Sequence, residues 1–142
     1  MASTVEEGDG GGGYCRAMPI VTVYHRVDFA SESSDEISAY FAGLREILAR
    51  ELGGDGERTL DPSADFELYL TEVGHRVGEH VTWDISIDVE AYDFDYRISN
   101  AEERARAVMN GAREEYSRRF GWTPTLAVWL KLVTASWVQS EG

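Results

Sequence analysis

Residues 19–27, PIVTVYHRV, decide the fold of this chain. The run is rich in β-branched residues and carries apolar side chains on both faces, which is typical of a strand that is covered on both sides. Proline is tolerated at the start of a strand, so Pro19 can begin it. We therefore predict a central β-strand here, and the rest of the fold is built outward from it.

A helix and a second strand follow. Ser33 and Glu36 have capping-box spacing, and Gly53 and Gly54 end the pattern. Residues 65–73, DFELYLTEV, predict the second strand. Between the cap and the glycines, apolar residues recur at helical intervals: Ile37, Tyr40, Phe41, Leu44, Ile47, Leu48 and Leu52.

The second half of the chain repeats this plan. Residues 81–91, VTWDISIDVEA, alternate between apolar and polar side chains and predict a third strand with one core face. Residues 99–121 predict a helix that begins with capping-box spacing from Ser99 to Glu102 and ends at Gly121. Residues 123–137, TPTLAVWLKLVTASW, predict the last strand.

The order of these elements, βαβ followed by βαβ, predicts an α+β fold. Two amphipathic helices need a sheet to cover, so both should pack on one face of a four-stranded sheet. Tyr24, Tyr69 and Trp129 leave the opposite face partly apolar, which indicates an oligomer interface. We expect a single domain over residues 18–142, and expect residues 1–17, with four consecutive glycines, to be a disordered leader or a wrongly assigned start.

Composition excludes several classes of partner. The chain has 142 residues, 26 acidic against 13 basic, and a net charge of -13, so its surface repels phosphate backbones and anionic lipids. We expect no nucleic-acid or membrane partner and a cytoplasmic location, because neither a signal peptide nor an apolar run long enough to span a membrane is present. Cys15 is the single cysteine, and no histidine has metal-ligand spacing, so we predict neither a metal nor another cofactor.

Residues 19–138 resemble the tautomerase superfamily, whose members are built from two βαβ units. MPIVTVYHRV (18–27) is similar to the opening strand of the family with its amino-terminal proline, and residues 85–121 resemble the second unit of fused members of the malonate semialdehyde decarboxylase type. The resemblance implies a homotrimer with an active site around each Pro19. It also implies an isomerase or lyase acting on a small oxo or enol carboxylic acid.

Pro19 is the candidate catalytic base if Met18 is the true start and is removed. A free prolyl nitrogen is a secondary amine, and α-amino groups titrate near pH 8 in model peptides. An apolar pocket beside a cation disfavours the protonated form, so the amine could take a proton next to a carbonyl and return it elsewhere. If residues 1–17 stay attached, the nitrogen is an amide and this chemistry is lost.

Arginine side chains are the candidate substrate ligands, because a guanidinium can bind a carboxylate and stabilise an enolate. Arg26 ends the first strand, at a position where some relatives carry a functional arginine. Arg97 lies in the predicted turn before the second helix, where fused relatives place substrate-binding arginines, and Tyr96 beside it is a candidate donor to a substrate oxygen. The family's common arginine shortly after the first strand is absent from residues 27–34.

Other interpretations of these residues stay open. In the alternative interpretation, Pro19 only starts a strand, both arginines are surface charges, and Tyr96 only covers the rim of the sheet. The same βαββαβ pattern fits a ferredoxin-like fold, which hosts many functions. The alternatives are a non-catalytic oligomeric binding module, with the leader retained, and a ferredoxin-like small-ligand sensor or monooxygenase-type barrel that forms a dimer.

Overall fold

The computed structural model describes residues 19–29, 32–54, 59–73, 83–134 and 140. The two predicted βαβ units are present, and the predicted α+β fold is confirmed. The predicted leader and the loop at residues 74–82 lie outside the described residues. In chain order the elements are β1 (Ile20–His25), α1 (Ser34–Leu52), β2 (Glu67–Glu72), β3 (Ile85–Tyr92), α2 (Asp95–Ile98), α3 (Ala101–Phe120) and β4 (Leu126–Val133).

The sheet has the strand order β2-β1-β3-β4. Within each unit the strands are parallel, with β1 beside β2 and β3 beside β4. The two units join through the antiparallel pair β1 and β3, in which Val23 lies opposite Ile87. Consequently β1 and β2 begin at the same end of the sheet, and β3 ends there.

One face of the sheet is the core. Val21, Val23, Ile85 and Ile87 are fully buried on this face, under α1 and α3. Burying each of these side chains contributes about 1.5–3 kcal/mol of transfer free energy. The prediction that Ile85 and Ile87 face the core is confirmed, whereas Phe29, which joins the same cluster after β1, was not foreseen.

The N-terminus of α1 is capped as predicted. The Ser33 side chain accepts a hydrogen bond from the backbone N–H of Glu36 at 3.1 Å, which satisfies one of the orphan donors of the first turn. The helix ends at Leu52, and Gly53 follows it in an extended conformation. Ser33 and Gly53 therefore define the helix bounds that the sequence indicated.

The N-terminus of α3 differs from the prediction. Asn100, not Ser99, is the N-cap residue, and its side chain caps no backbone N–H of the helix. The Asn100 Oδ1 atom accepts instead from Arg104 Nε at 2.6 Å, so the capping-box prediction for Ser99 and Glu102 is wrong. The C-terminus agrees with the sequence, because Gly121 has φ 83°, the left-handed conformation that favours glycine.

The two long helices pack closely against each other. At Gly111 of α3, an added Cβ would lie 3.1 Å from the nearest side-chain atom of Ile47 on α1. The Tyr40 hydroxyl donates to the carbonyl oxygen of Ala112 at 3.3 Å, which ties the helices together inside the core. Burial, and secondarily the charges of neighbouring groups, raises the pKa of Tyr40, so the hydroxyl keeps its proton and remains a donor.

A charged network runs along the outside of this helix pair. The Glu115 carboxylate accepts from Arg119 Nε at 2.5 Å and from Arg118, and Arg119 also lies 3.6 Å from Glu36 on α1. Partial burial raises the pKa of Glu115, but the two arginines outweigh it, and the net pKa is lowered. The carboxylate therefore stays ionised at neutral pH.

The opposite face of the sheet has no covering layer among the described residues. Ile20 is 41% exposed, Tyr69 52% and Trp129 64%, and strand alternation places Tyr24 on the same face. We call this surface, formed by the outward residues of all four strands, the open sheet face. No described helix is both long and apolar enough to cross a membrane.

Candidate functional site

The end of the sheet where β1 begins is the candidate site. Pro19 immediately precedes β1 and is buried, and its carbonyl oxygen accepts from the backbone N–H of Glu67 at 3.1 Å. By alternation with Val21, its ring is on the helix side of the sheet. Met18, which would acylate the prolyl nitrogen, lies outside the described residues.

Arg97 lies at the same end of the sheet as Pro19. It belongs to α2, a single helical turn that replaces the predicted turn, and its side chain is fully buried. Arg97 Nε donates to the carbonyl oxygen of Leu52 at 3.0 Å, and Nη1 donates to that of Tyr92 at 3.1 Å. The guanidinium carbon also lies 5.1 Å from the ring centroid of Phe94, within the range of a cation–π contact.

A second arginine binds the same helix end. Arg104 Nη1 donates to the carbonyl oxygens of Glu51 and Gly53, the latter at 3.2 Å. We call Arg97 and Arg104 the arginine clasp, because together they bind three carbonyl groups at the C-terminus of α1. These carbonyls have no partner in the helix, and the helix dipole is negative there, so two cations are favoured at this place.

Sequence reasoning missed Arg104 and misjudged the surroundings of Arg97. The surface-charge interpretation of Arg97 is wrong, since the side chain is buried and bound to backbone oxygens. One available signal for Arg104 was its position four residues after Asn100, the distance at which helix side chains meet. Nothing in the sequence indicated that the acceptors are on α1.

Tyr96 lies between Asp95 and Arg97 in α2. Its backbone is therefore at the end of the sheet that carries Pro19, as the substrate-binding prediction requires. The structure does not describe the direction of its side chain. The role of Tyr96 as a donor stays a prediction.

Arg26 lies at the other end of β1. Its backbone N–H donates to the carbonyl oxygen of Asp84 at 2.9 Å, and its Nη1 atom lies 3.4 Å from the carbonyl oxygen of Trp83. Seven residues of extended strand span about 23 Å, so Arg26 and Pro19 of one chain cannot contact the same small substrate. The fold brings Pro19 and Arg97 to one end of the sheet and leaves Arg26 at the other.

The site has no metal-binding cluster in the ranges that the structure describes, where no group of three or more histidine, cysteine, aspartate or glutamate side chains is close enough to hold an ion. Of the three histidines, His25 is described; it is buried, and its Nδ1 atom is 2.9 Å from the carbonyl oxygen of Val27.

Solved structures identify the class of this fold. MIF2 of Leishmania major superposes with a TM-score of 0.56 at 14% identity, over 85% of this chain and 94% of that chain. Malonate semialdehyde decarboxylase superposes equally well, at 0.56 and 15% identity, over 87% and 92% of the two chains. A fused 4-OT, solved as a symmetric trimer, gives 0.53 and 12% identity over 80% and 85%.

These proteins belong to the tautomerase superfamily, and this chain has the tautomerase-superfamily fold. The predicted resemblance is confirmed for the fold, which is all that sequence identities of 11–15% can show. No family model and no curated protein matches the chain.

Proposed function

We propose that this protein is an isomerase or lyase of the tautomerase type, in which Pro19 is the acid–base catalyst. The observation that carries the proposal is the position of Pro19, buried at the start of β1 in a chain with the tautomerase-superfamily fold. Among its structural neighbours, malonate semialdehyde decarboxylase has decarboxylase and hydratase activities. The substrate class we assign is a small oxo or enol carboxylic acid.

The proposed reaction is a proton transfer between carbon or oxygen positions of the substrate. The free amine of Pro19 takes a proton from the carbon next to a carbonyl, and the bonding electrons move into the carbonyl oxygen to give an enolate. The prolinium ion then returns the proton to a different atom, which completes a keto–enol tautomerisation. Burial of Pro19 favours this role, because it disfavours the charged amine that cannot act as a base.

Three proposed residues stabilise the enolate, two as cations and one as a hydrogen-bond donor. Arg97 supplies a buried cation at the Pro19 end, and Tyr96 of the same helical turn is the proposed hydrogen-bond donor. Arg26 is too distant within one chain, so the proposal places it in the active site of a neighbouring subunit. A homotrimer is therefore part of the proposed function, supported by the open sheet face and by the trimeric fused 4-OT neighbours.

We place the protein in the cytoplasm. This is a reducing compartment, which suits a chain with a single cysteine.

A non-catalytic oligomeric module is the second candidate. Two observations favour it: Arg97 binds backbone carbonyls, and Arg26 lies at the far end of β1. In this candidate the leader is retained and Pro19 is an amide. The arginine clasp would then only hold the fold.

Two measurements on the Pro19 nitrogen separate the two candidates. The intact mass of the protein from its native host shows whether the chain begins at Pro19, and treatment with 2-oxo-3-pentynoate, the compound that inactivates Pt0534, probes the nitrogen. This alkynyl ketone adds to a free amine, so we expect one adduct mapping to Pro19. The chain with residues 1–18 attached, carrying Cys15→Ser to remove the competing thiol, is the control and should form no adduct there.

Turnover of a panel of small 2-oxo and enol acids completes the test. We expect the Pro19→Ala variant to lose at least 100-fold in kcat/KM, the typical contribution of a general base. A native mass that retains residues 1–17, or turnover that Pro19→Ala leaves unchanged, would contradict the proposal. Either outcome would leave the non-catalytic module.

A further inference from the structure

A groove lies between α1 and the edge strand β2. Its volume is about 370 Å³, which falls within the range of pockets that hold small organic ligands. The lining is mostly apolar. It consists of Ile37, Ser38, Phe41, Ala42 and Arg45 from α1 and Leu68, Tyr69 and Leu70 from β2.

The two walls follow from the periodicities of their elements. Ile37, Phe41 and Arg45 are spaced by four residues and so form one ridge along α1. Leu68 and Leu70, two residues apart on β2, project from the helix side of the sheet and form the facing wall. Leu70 is 48% exposed, so part of the apolar wall of the groove is in contact with water. A bound ligand could cover this surface.

Arg45 gives the groove a cationic end. Its Nη1 atom lies 3.4 Å from the carbonyl oxygen of Phe66, and among the described residues no carboxylate lies within ion-pair distance of it. Arg50, the next arginine along α1, is in contrast paired with Glu51 at 2.9 Å. A half-buried guanidinium that has no counter-ion among the described residues can bind an anion through charge-assisted hydrogen bonds.

We propose that this groove binds a hydrophobic monocarboxylate, with the carboxylate on Arg45 and the apolar tail along Phe41, Ile37 and Leu70. The single carboxylate of this ligand matches the single guanidinium of the groove, and its apolar chain matches the two apolar walls. Pro19 is not among the described residues that line the groove, although Arg45 and Pro19 contact opposite sides of one peptide unit, that between Phe66 and Glu67. The inference therefore does not depend on the proposed enzymatic activity.

The test is a titration of the full chain with sodium octanoate, followed by the amide resonances of Leu68 and Leu70. We expect saturable binding of one octanoate per chain. Arg45→Gln should weaken it about tenfold, the effect of losing a charge-assisted hydrogen bond, while the control Arg50→Gln should stay within twofold of the parent chain. Uncharged 1-octanol should bind about tenfold more weakly than octanoate.

Two further variants make the result unambiguous. Leu70→Glu places a carboxylate in the groove at an exposed position that tolerates it, and should abolish octanoate binding while the unfolding midpoint is retained. Pro19→Ala should leave the affinity unchanged. The proposal is overturned if the resonances of Leu68 and Leu70 do not saturate, if Arg45→Gln binds like the parent chain, or if Pro19→Ala alone abolishes binding, which would place octanoate in the candidate active site.

Discussion

Arg97 shows how a single cation can be tolerated in the interior of this protein. A buried charge is costly unless hydrogen bonds replace its water, and here the carbonyls of Leu52 and Tyr92 do so. Because these acceptors belong to α1 and β3, the side chain also joins the two βαβ units. Its contribution to stability can be separated from any contribution to catalysis.

Arg97→Met tests the structural contribution. Methionine keeps the apolar part of the side chain but removes the donor to the buried carbonyl of Leu52 and to the partly buried carbonyl of Tyr92. We therefore expect the free energy of unfolding to fall by about 3 kcal/mol. Urea denaturation measures the change. The control Arg50→Met removes an exposed arginine and should cost less than about 0.5 kcal/mol. Equal losses in the two variants would contradict the structural role of Arg97.

Tyr116 provides a pH-dependent prediction. Burial, with smaller effects from Glu32 and Asp84, raises the pKa of Tyr116 to about 12 from its ordinary value of 10.0. The folded state then holds its proton more tightly than the unfolded state. The stability from this group is therefore fully present below pH 10 and is lost between about pH 10 and 12.

Urea midpoints at pH 9 and pH 11.5 measure this loss. We expect a clear decrease in the parent chain and a smaller one in Tyr116→Phe, which has no hydroxyl to ionise at this position. A decrease remains in the variant because burial raises the pKa of Tyr40 as well. Identical pH dependence in the two chains would contradict the assignment to Tyr116.

At the scale of the elements, α1 and α3 can approach each other closely because the residue at position 111 of α3 has no side chain. Glycine costs about 1 kcal/mol of helix propensity relative to alanine, yet Gly111 lies in the middle of α3. The reason is Ile47, whose side chain would lie 3.1 Å from an added Cβ. Close approach of the helices is thus obtained at the expense of local helix stability.

A double-mutant cycle with Gly111→Ala and Ile47→Ala tests this explanation. In the parent chain we expect Gly111→Ala to lower the free energy of unfolding by about 1 kcal/mol, because overpacking outweighs propensity. In the Ile47→Ala background the clash is absent, and the same change should raise stability by up to about 1 kcal/mol. Urea denaturation of the four chains gives the coupling energy, and additive effects would exclude the clash.

The elements differ in how well the sequence could predict them. The long helices and alternating strands produce strong periodic patterns, so their types and approximate bounds could be derived. Helix α2 has four residues, which is too short for a pattern. The capping prediction failed at Ser99 because Asn100 is one residue closer to the helix, and its side chain binds Arg104.

The candidate site was less predictable than the fold, for a physical reason. The position of Pro19 at the start of a strand is local information. The surroundings of Arg97 depend on Leu52, 45 residues earlier in the chain, and the separation of Arg26 from Pro19 appears only when strand length is converted into distance. Residue types could thus be selected from the sequence, but their partners could not.

At the scale of the whole molecule, the open sheet face should determine the assembly state. If this face joins subunits in the proposed homotrimer, Trp129→Glu would bury an added carboxylate in a complex that is already strongly acidic. We expect this variant to sediment as a monomer. Trp122→Glu, an exposed tryptophan after α3, is the matched control and should leave the trimer intact.

Analytical ultracentrifugation at equal protein concentrations measures these states. A parent chain that sediments as a dimer would contradict the trimer. A trimer that survives Trp129→Glu would exclude the open sheet face as the interface.

The antiparallel pairing of β1 with β3 gives the single chain the organisation of a tethered heterodimer. Three sets of contacts join the two βαβ units: the pairing of β1 with β3, the packing of α1 against α3, and the hydrogen bonds of the arginine clasp. The contacts between the two units therefore resemble a protein–protein interface. The segment that connects the units keeps them at a high effective concentration relative to each other. Separation of the chain between residues 73 and 83 would turn folding into the bimolecular association of two complementary fragments.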